Sequence, residues 1–318
     1  MIEIRRFRNG DPPRLAETWR AADLGPSAVQ PMTAALLEAA VFSKPYFDRD
    51  GLAIAVEDER IVGFAHAGFG PNADRTGLDT TTGTTMLVVV VPHEQSASIG
   101  ADLLARSEAY LRQRGAQVLL GGGNASMCGF YLGLYGGANL PGILGSSPGM
   151  QDVFRRAGYA DDERIAVLRR PLAGFRPPVN RLHLAIRRAT VLRAIDEPMH
   201  GSWWEAATTA GLSLRRYQLA NVADELLGAA TFCDMQSASA TWGVTAAGLL
   251  HVEIAGPRRR QGLANYLIAE ALHDLAQEGV TLVEAQAPEG NGNAVALFEK
   301  LGFTRADEGI VFRSPPPP

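Results

Sequence analysis

The sequence predicts a mixed α/β fold built twice: two tandem units, each a largely antiparallel sheet flanked by helices. Three observations carry this expectation. The chain has 318 residues, and a common single domain has about 150. Short apolar strands arranged as hairpins alternate with amphipathic helices, an order that yields mixed sheets rather than doubly wound parallel ones. The chain also repeats itself. Ile61–Ala65 resembles Leu226–Ala230 at an offset of 165, Gly100–Gly115 runs parallel to Ala264–Gly279 at 164, and Phe154–Tyr159 resembles Phe298–Phe303 at 144.

In the first half, Pro12–Ala22 reads as a helix with Leu15 and Trp19 four apart. Strands follow at Leu52–Val56, Ile61–Ala67 and Met86–Val91, the first two joined through Glu57–Arg60 as a hairpin. The drop in offset from 164 to 144 places about twenty extra residues in the glycine-rich segment 121–149. A loop that long covers or binds something, or is a plain surface insertion. The boundary falls in Pro171–Pro178, where prolines stiffen a linker and remove backbone donors. We therefore divide the chain into a first unit over 1–170, a linker over 171–183, a second unit over 184–313 and an unstructured proline tail over 314–318.

The second half repeats the order. A helix over Pro198–Ala210 carries Trp203 and Trp204, which suit an acceptor pocket or, more simply, a core. Strands come at Leu214–Ala220, Leu226–Phe232 and Leu249–Ala255. A helix over Gly262–Gln277 then puts Leu263, Tyr266, Leu267, Leu272 and Leu275 on one face and stops at Gly279. Strand Val280–Ala285, helix Ala294–Lys300 and strand Gly309–Arg313 close the unit.

Composition narrows the function. Hydrophobic residues make up 46% and charged residues 20%, as in a folded globular chain. A net charge of -4 offers no footprint for nucleic acid. Two cysteines, Cys128 and Cys233, make no disulfide framework and fit a reducing, cytoplasmic setting. The opening residues have no apolar core of the kind a secretory leader needs, and the longest aliphatic run, Met86–Val91, is far short of a membrane span. The six histidines show no metal-ligand spacing. No nucleic-acid or membrane partner is expected, and the chain is expected to be a monomer or homodimer.

The most specific segment is Leu249–Ala264, where a strand ends, a basic turn follows and a long helix begins. The first amides of a helix lack internal acceptors and carry the positive end of its dipole, so such a turn suits a pyrophosphate. Gly262 allows close approach, and Arg258, Arg259 and Arg260 supply cations. A solvated basic loop is the simpler alternative. Neither a Walker loop nor a dinucleotide fingerprint is present.

At these residues the sequence resembles the GNAT superfamily of acetyl-CoA-dependent N-acetyltransferases. Arg259-Arg260-Gln261-Gly262-Leu263-Ala264 matches its (Gln/Arg)-x-x-Gly-x-(Gly/Ala) signature, and Asn291–Phe303 matches its later Asn-x-x-Ala-x-x-Leu-Tyr-Glu-Lys-Leu-Gly-Phe motif. Two such units in one chain resemble the two-domain, mycothiol synthase-like members. The resemblance implies acetyl-CoA as donor, no metal, and direct transfer to a primary amine. It assigns the coenzyme to Val252, Ile254, Arg259, Arg260, Gln261, Gly262, Leu263, Ala264, Asn291 and Phe298. The first half matches less well: Gln95–Gly100 keeps the Gln and the last Gly, puts Ser98 in place of the first Gly, and has no arginine. A weak or vestigial coenzyme site is expected there.

Two departures bear on catalysis. The family's acid, the Tyr of Leu-Tyr, is Phe298 here, and its frequent general-base glutamate falls on Gly248. Substitutes are His251, Glu253, Glu284 and Gln286, of which Glu284 is the expected catalytic group. A non-catalytic acyl-CoA-binding or regulatory protein is the alternative reading.

Overall fold

The computed structural model describes residues 1–124 and 127–316. The first half runs β1 (Glu3–Arg6), α1 (Pro12–Ala21), α2 (Ala34–Leu37), β2 (Leu52–Glu57), β3 (Arg60–Pro71), β4 (Leu78–Val90), α3 (Ser96–Gln113), β5 (Val118–Gly121), β6 (Ile143–Leu144), α4 (Pro148–Arg156) and β7 (Ala160–Pro171). The second runs α5 (Arg181–Ala189), β8 (Thr190–Asp196), α6 (Trp203–Thr209), β9 (Leu214–Asn221), β10 (Leu226–Asp234), α7 (Gln236–Trp242), β11 (Ala246–Ile254), α8 (Leu263–Gln277), β12 (Leu282–Pro288), α9 (Gly292–Lys300) and β13 (Thr304–Arg313).

Local chemistry explains many of these boundaries. Pro12 and Pro13 open α1, where a missing N–H costs nothing, and Leu15 and Trp19 turn inward. Asp58 and Glu59 both take positive φ, which gives the β2–β3 hairpin a turn matched to strand twist. The strand β4 begins eight residues before the expected Met86, because its polar threonines conceal it from a hydrophobicity reading. Helix α7 and strands β1 and β8 were likewise not visible as apolar patterns.

Every strand but β6 lies in one continuous ladder, in the order β1-β2-β3-β4-β5-β13-β7-β12-β11-β10-β9-β8. The last strands of the two halves have changed places. β7 pairs antiparallel with β12 over Ile165–Pro171, while β13 reaches β5 through Phe312 and Arg313. At the centre β7 and β13 pair antiparallel from Thr304–Arg169 to Arg313–Ala160. Ser314, assigned from sequence to the tail, continues this edge by donating its N–H to Leu119 O at 3.0 Å. Residues 317–318 of that tail lie outside the described residues.

Most described residues of segment 121–149 are interior rather than surface. Phe130, Tyr131, Tyr135, Ala138, Leu140 and Ile143 are buried in a core that also takes in Cys233, Met235 and Ala246 of the second half. Tyr135 accepts the Leu144 N–H at 3.0 Å and lies 3.0 Å from Ser147 Oγ, which donates to Leu24 O. Across the halves, buried Lys44 donates to Thr208 O and Ala210 O at 2.8 and 3.1 Å, capping α6. Trp204 packs on Tyr46 with centroids 4.7 Å apart, while Trp203 stays partly exposed. Both cysteines are buried, and burial pushes each thiol up to about 12, too high for a ready thiolate.

The exchange predicts that the halves depend on one another, since each alone would expose unpaired strand edges. Calorimetry on the intact chain is expected to show a single unfolding transition. Residues 1–170 expressed alone should aggregate, and co-expression with 171–318 should restore a soluble complex. A well-folded monomer of either piece would refute this.

Candidate active site

The two parallel pairs of the sheet both come apart. β11 and β12 pair from Ala246–Leu282 to Leu249–Ala285, after which β12 keeps only β7 and β11 keeps only β10. A register shift lets Leu250 bulge, so that Thr231 faces His251 while Phe232 faces Leu249. The bulge turns the strand: Val252 and Ile254 pack toward the core under α8, whereas His251 and Glu253 point to the opposite face and are exposed. Alternate backbone groups of β11 are thereby presented to the gap. The first half has the same device, with β4 and β5 paired from Thr82–Val118 to Thr85–Gly121 and Met86 bulged.

The basic turn lies at the end of β11. Gly256–Arg258 form one turn of 3-10 helix, Arg260 has φ +60°, and Gly262 caps α8 at φ +80°. A side chain at Gly262 would be strained by that φ and would also come 2.7 Å from Leu182 Cδ2 of α5. Arg258, Arg259 and Arg260 are exposed. Arg259 Nε donates to Ile254 O at 3.2 Å, Arg258 lies 3.7 Å from Glu225, and Arg260 has no ion-pair partner among the described residues. An open helix head under exposed guanidinium groups fits the diphosphate of a nucleotide-type coenzyme. Leu263 turns into the core while Gln261 stays exposed, its Nε2 3.3 Å from Pro257 O.

Asn291 caps α9, its Oδ1 accepting the Ala294 N–H at 3.2 Å. Phe298 lies within the second core, 5.3 Å from Phe303 between centroids, and only 5% exposed. Val252, Ile254 and Arg259–Ala264 therefore gather at the head of α8. Asn291 stands at the head of α9, and Phe298 is packed beneath it.

The counterpart turn in the first half is absorbed into helix. α3 begins at Ser96 with Gln95 as its cap, so Ser98 is helical and not at a left-handed corner. Gly100 sits one turn inside, where an added Cβ would meet Val153 Cγ2 at 2.7 Å. Between α3, α4 and the free end of β4 lies a groove of about 590 Å³, floored by Val88, Val90 and Val153. Its rim carries Asp23, Glu108 and Asp152 against Arg156, the wrong sign for a diphosphate.

Glu284 lies where β12 leaves β11, and segment 121–149 covers it. Its Oε2 accepts the Ala138 N–H at 2.9 Å, the side chain is fully buried, and a methyl at Gly137 would collide with the carboxylate. Ala138 equally occupies the space beside Gly248. Gln286 Nε2 donates to Asn139 O at 2.8 Å, completing the cover. Sequence spacing had no means of finding this contact between positions 146 apart. Burial pushes the Glu284 carboxyl up to about 7, against the hydrogen bond from Ala138 and the charge of Arg169.

That shift fixes a pH dependence. The folded protein holds this proton more tightly than the unfolded chain, so the contribution of Glu284 to stability is full below pH 4.5 and is lost as pH rises to about 7. Glu284→Gln should remove this fall and be more stable than the parent at pH 8 by about 2–3 kcal/mol. Urea titrations at pH 5 and 8 check it; equal stability of the two proteins at both pH values would contradict the burial.

Comparison with known proteins agrees with this geometry. The chain matches the acetyltransferase (GNAT) family twice, over residues 18–134 and 189–303. A mycothiol acetyltransferase of Thermomonospora curvata is 39% identical over 56 residues. That stretch covers 18% of this chain and 19% of the relative, so the match spans about a fifth of that protein. A tandem GNAT protein from the clavulanic acid biosynthesis pathway superposes with a TM-score of 0.69 at 14% identity, covering 100% of this chain and 99% of the other. A GCN5-related N-acetyltransferase from Sphaerobacter thermophilus gives 0.67 at 15% identity, covering 100% and 96%. With the family matched once in each half, and with splayed strands and bulges recurring in both, the chain belongs to the GNAT acetyltransferase family as a tandem-domain member.

Proposed function

We propose that this protein is an acetyl-CoA-dependent N-acetyltransferase whose second half binds the coenzyme and directs its acetyl group to a primary amine. The observation that carries this reading is the left-handed Gly262 at the head of α8, beneath Arg258–Arg260 and beside the bulged end of β11. Acetyl-CoA supplies an activated thioester. The helix head and guanidinium groups hold its diphosphate, and the free backbone of Val252–Ile254 orients the acyl arm and polarises its carbonyl.

The acceptor meets the gap from the face opposite α8. Gly137–Asn139 covers the inner part of that face, and beyond it His251 and Glu253 stand exposed, 3.7 Å apart. Glu284 acts as base only in a state where Gly137–Asn139 has withdrawn. In the arrangement seen, His251 and Glu253 are the titratable groups that an incoming ammonium encounters. Phe298 has no proton for the leaving thiolate, and general acid help is typically worth about 10²–10⁴-fold. Slow turnover follows, unless water or the acceptor supplies that proton. The covered Glu284 and the absent phenol favour one second reading: a protein that binds acyl-CoA without turning it over. Release of free thiol from acetyl-CoA on addition of an amine panel separates the two, because a binder alone releases none.

The coenzyme assignment is tested by charge. Arg259→Glu combined with Arg260→Glu should weaken acetyl-CoA binding by at least ~100-fold in calorimetric titration, as charge-assisted contacts contribute about 1.5–3 kcal/mol each. Ser98→Glu, at the first half's equivalent of Gly262, should leave affinity within twofold. Equal losses would show that both halves are used.

Phe298→Tyr should leave acetyl-CoA affinity nearly unchanged and raise kcat if the ring borders the thioester. A loss of binding beyond tenfold would misplace this residue.

A further inference from the structure

Asn139, from the glycine-rich segment of the first half, touches both of the strands that part in the second. Its Nδ2 donates to Leu250 O, on the bulged residue of β11, at 3.4 Å, and its main-chain oxygen accepts from Gln286 Nε2 of β12 at 2.8 Å. β11 and β12 are last paired at Leu249–Ala285, so each contact falls one residue beyond the parting. One step back along the chain, the Ala138 N–H is held by Glu284 Oε2 at 2.9 Å. Hydrogen bonds at three points therefore fix a residue of one half in the opening of the other half's strands.

Small neighbours make this approach possible. Gly137 takes φ +150°, and a Cβ there would collide with the Glu284 carboxylate. A Cβ at Gly248 would collide with Ala138, whose methyl fills the space above that glycine. Ala138 and Leu140 are buried, whereas Asn139 between them is half-buried. Ala138 and Glu284 thus fill the inner end, and an amine entering between β11 and β12 stops at Asn139.

One polar atom of Asn139 is left over. Its Oδ1 has no hydrogen-bond partner among the described residues and is not sealed from solvent. The bond from Nδ2 to Leu250 O sets the plane of the carboxamide, so Oδ1 is an oriented acceptor rather than a loose one. An amine that attacks a thioester needs its lone pair free while its N–H groups are held. A carboxylate at that place favours the ammonium, which has no lone pair to give. A carboxamide oxygen accepts an N–H and carries no charge.

We infer that Asn139 Oδ1 binds the primary amine of the acceptor, so that the first half supplies an acceptor-binding residue to the second half's gap. This role rests on the acetyltransferase reading and deepens it: the turn before α8 holds the coenzyme, and a residue 146 positions before Ala285 holds the amine.

Steady-state thiol release from acetyl-CoA tests this on the intact protein, with ethanolamine, putrescine, glucosamine and L-alanine methyl ester as acceptors. With whichever of these the parent turns over, Asn139→Ala should raise the KM for the amine about fivefold or more, the effect of one lost hydrogen bond. The kcat should stay within about twofold, and so should the acetyl-CoA Kd in calorimetric titration. Asn139→Asp keeps an acceptor oxygen but holds the amine as its ammonium, so the rising limb of kcat against pH should move to higher pH. An amine KM unchanged in Asn139→Ala would overturn the inference. So would a loss confined to kcat, the mark of a residue that only spaces the strands, or a pH profile unmoved in Asn139→Asp. In each of these cases the parent's own turnover leaves the acetyltransferase reading standing. No release by the parent with any of the four amines counts instead against that reading, and this role falls with it.

Discussion

The antiparallel pairing of β7 with β13 is the constraint on which the rest of the molecule depends. Those two strands close the two halves of the sequence, yet each hydrogen-bonds to the other half's sheet and to its counterpart at the centre. A strand edge left open is a liability, and exchange satisfies both edges at once. It also merges what the repeat suggests are two sheets into one ladder. The relation between the halves is thereby fixed by main-chain hydrogen bonds as well as by the shared core.

With that pairing in place, each half still has one parallel pair that splays. β12 leaves β11 beyond Ala285 while its other edge stays paired with β7 as far as Pro288. β5 is short and hands its place beside β13 to β6, where the chain returns from the glycine-rich segment. The twenty extra residues of the first half therefore enter the interior. They carry Ala138 to the second half's gap and bury Glu284 beneath it. A carboxyl that close to ordinary pH in its titration is sensitive to how well that cover fits.

The halves share topology and differ in charge and in one backbone angle. Where the second half turns through a left-handed glycine under three arginines, the first continues its helix through Ser98 and borders its groove with carboxylates. The charge is thus mainly positive at one helix head and mainly negative at the rim of the other. The bulges at Met86 and Leu250 lie 164 residues apart, the same offset that relates the helices that follow them.

By itself the sequence determined the fold class, the duplication and the position of the basic turn at the head of α8. Hydrophobic period, proline and glycine punctuation and the spacing Arg259–Ala264 are local, and local chemistry governs helix starts, hairpins and turns. The offsets of 164 and 144 located equivalent elements with no knowledge of their packing. Tertiary structure alone decided which strand neighbours which, that Ser96–Gly100 is helix, and that much of the described part of segment 121–149 is core. It also decided the environment of Glu284, whose partner Ala138 is 146 residues away. Strand exchange leaves no trace in periodicity, since β7 and β13 read alike whichever sheet they join. Burial and pKa are properties of what surrounds a residue, and those surroundings come from the other half of the chain.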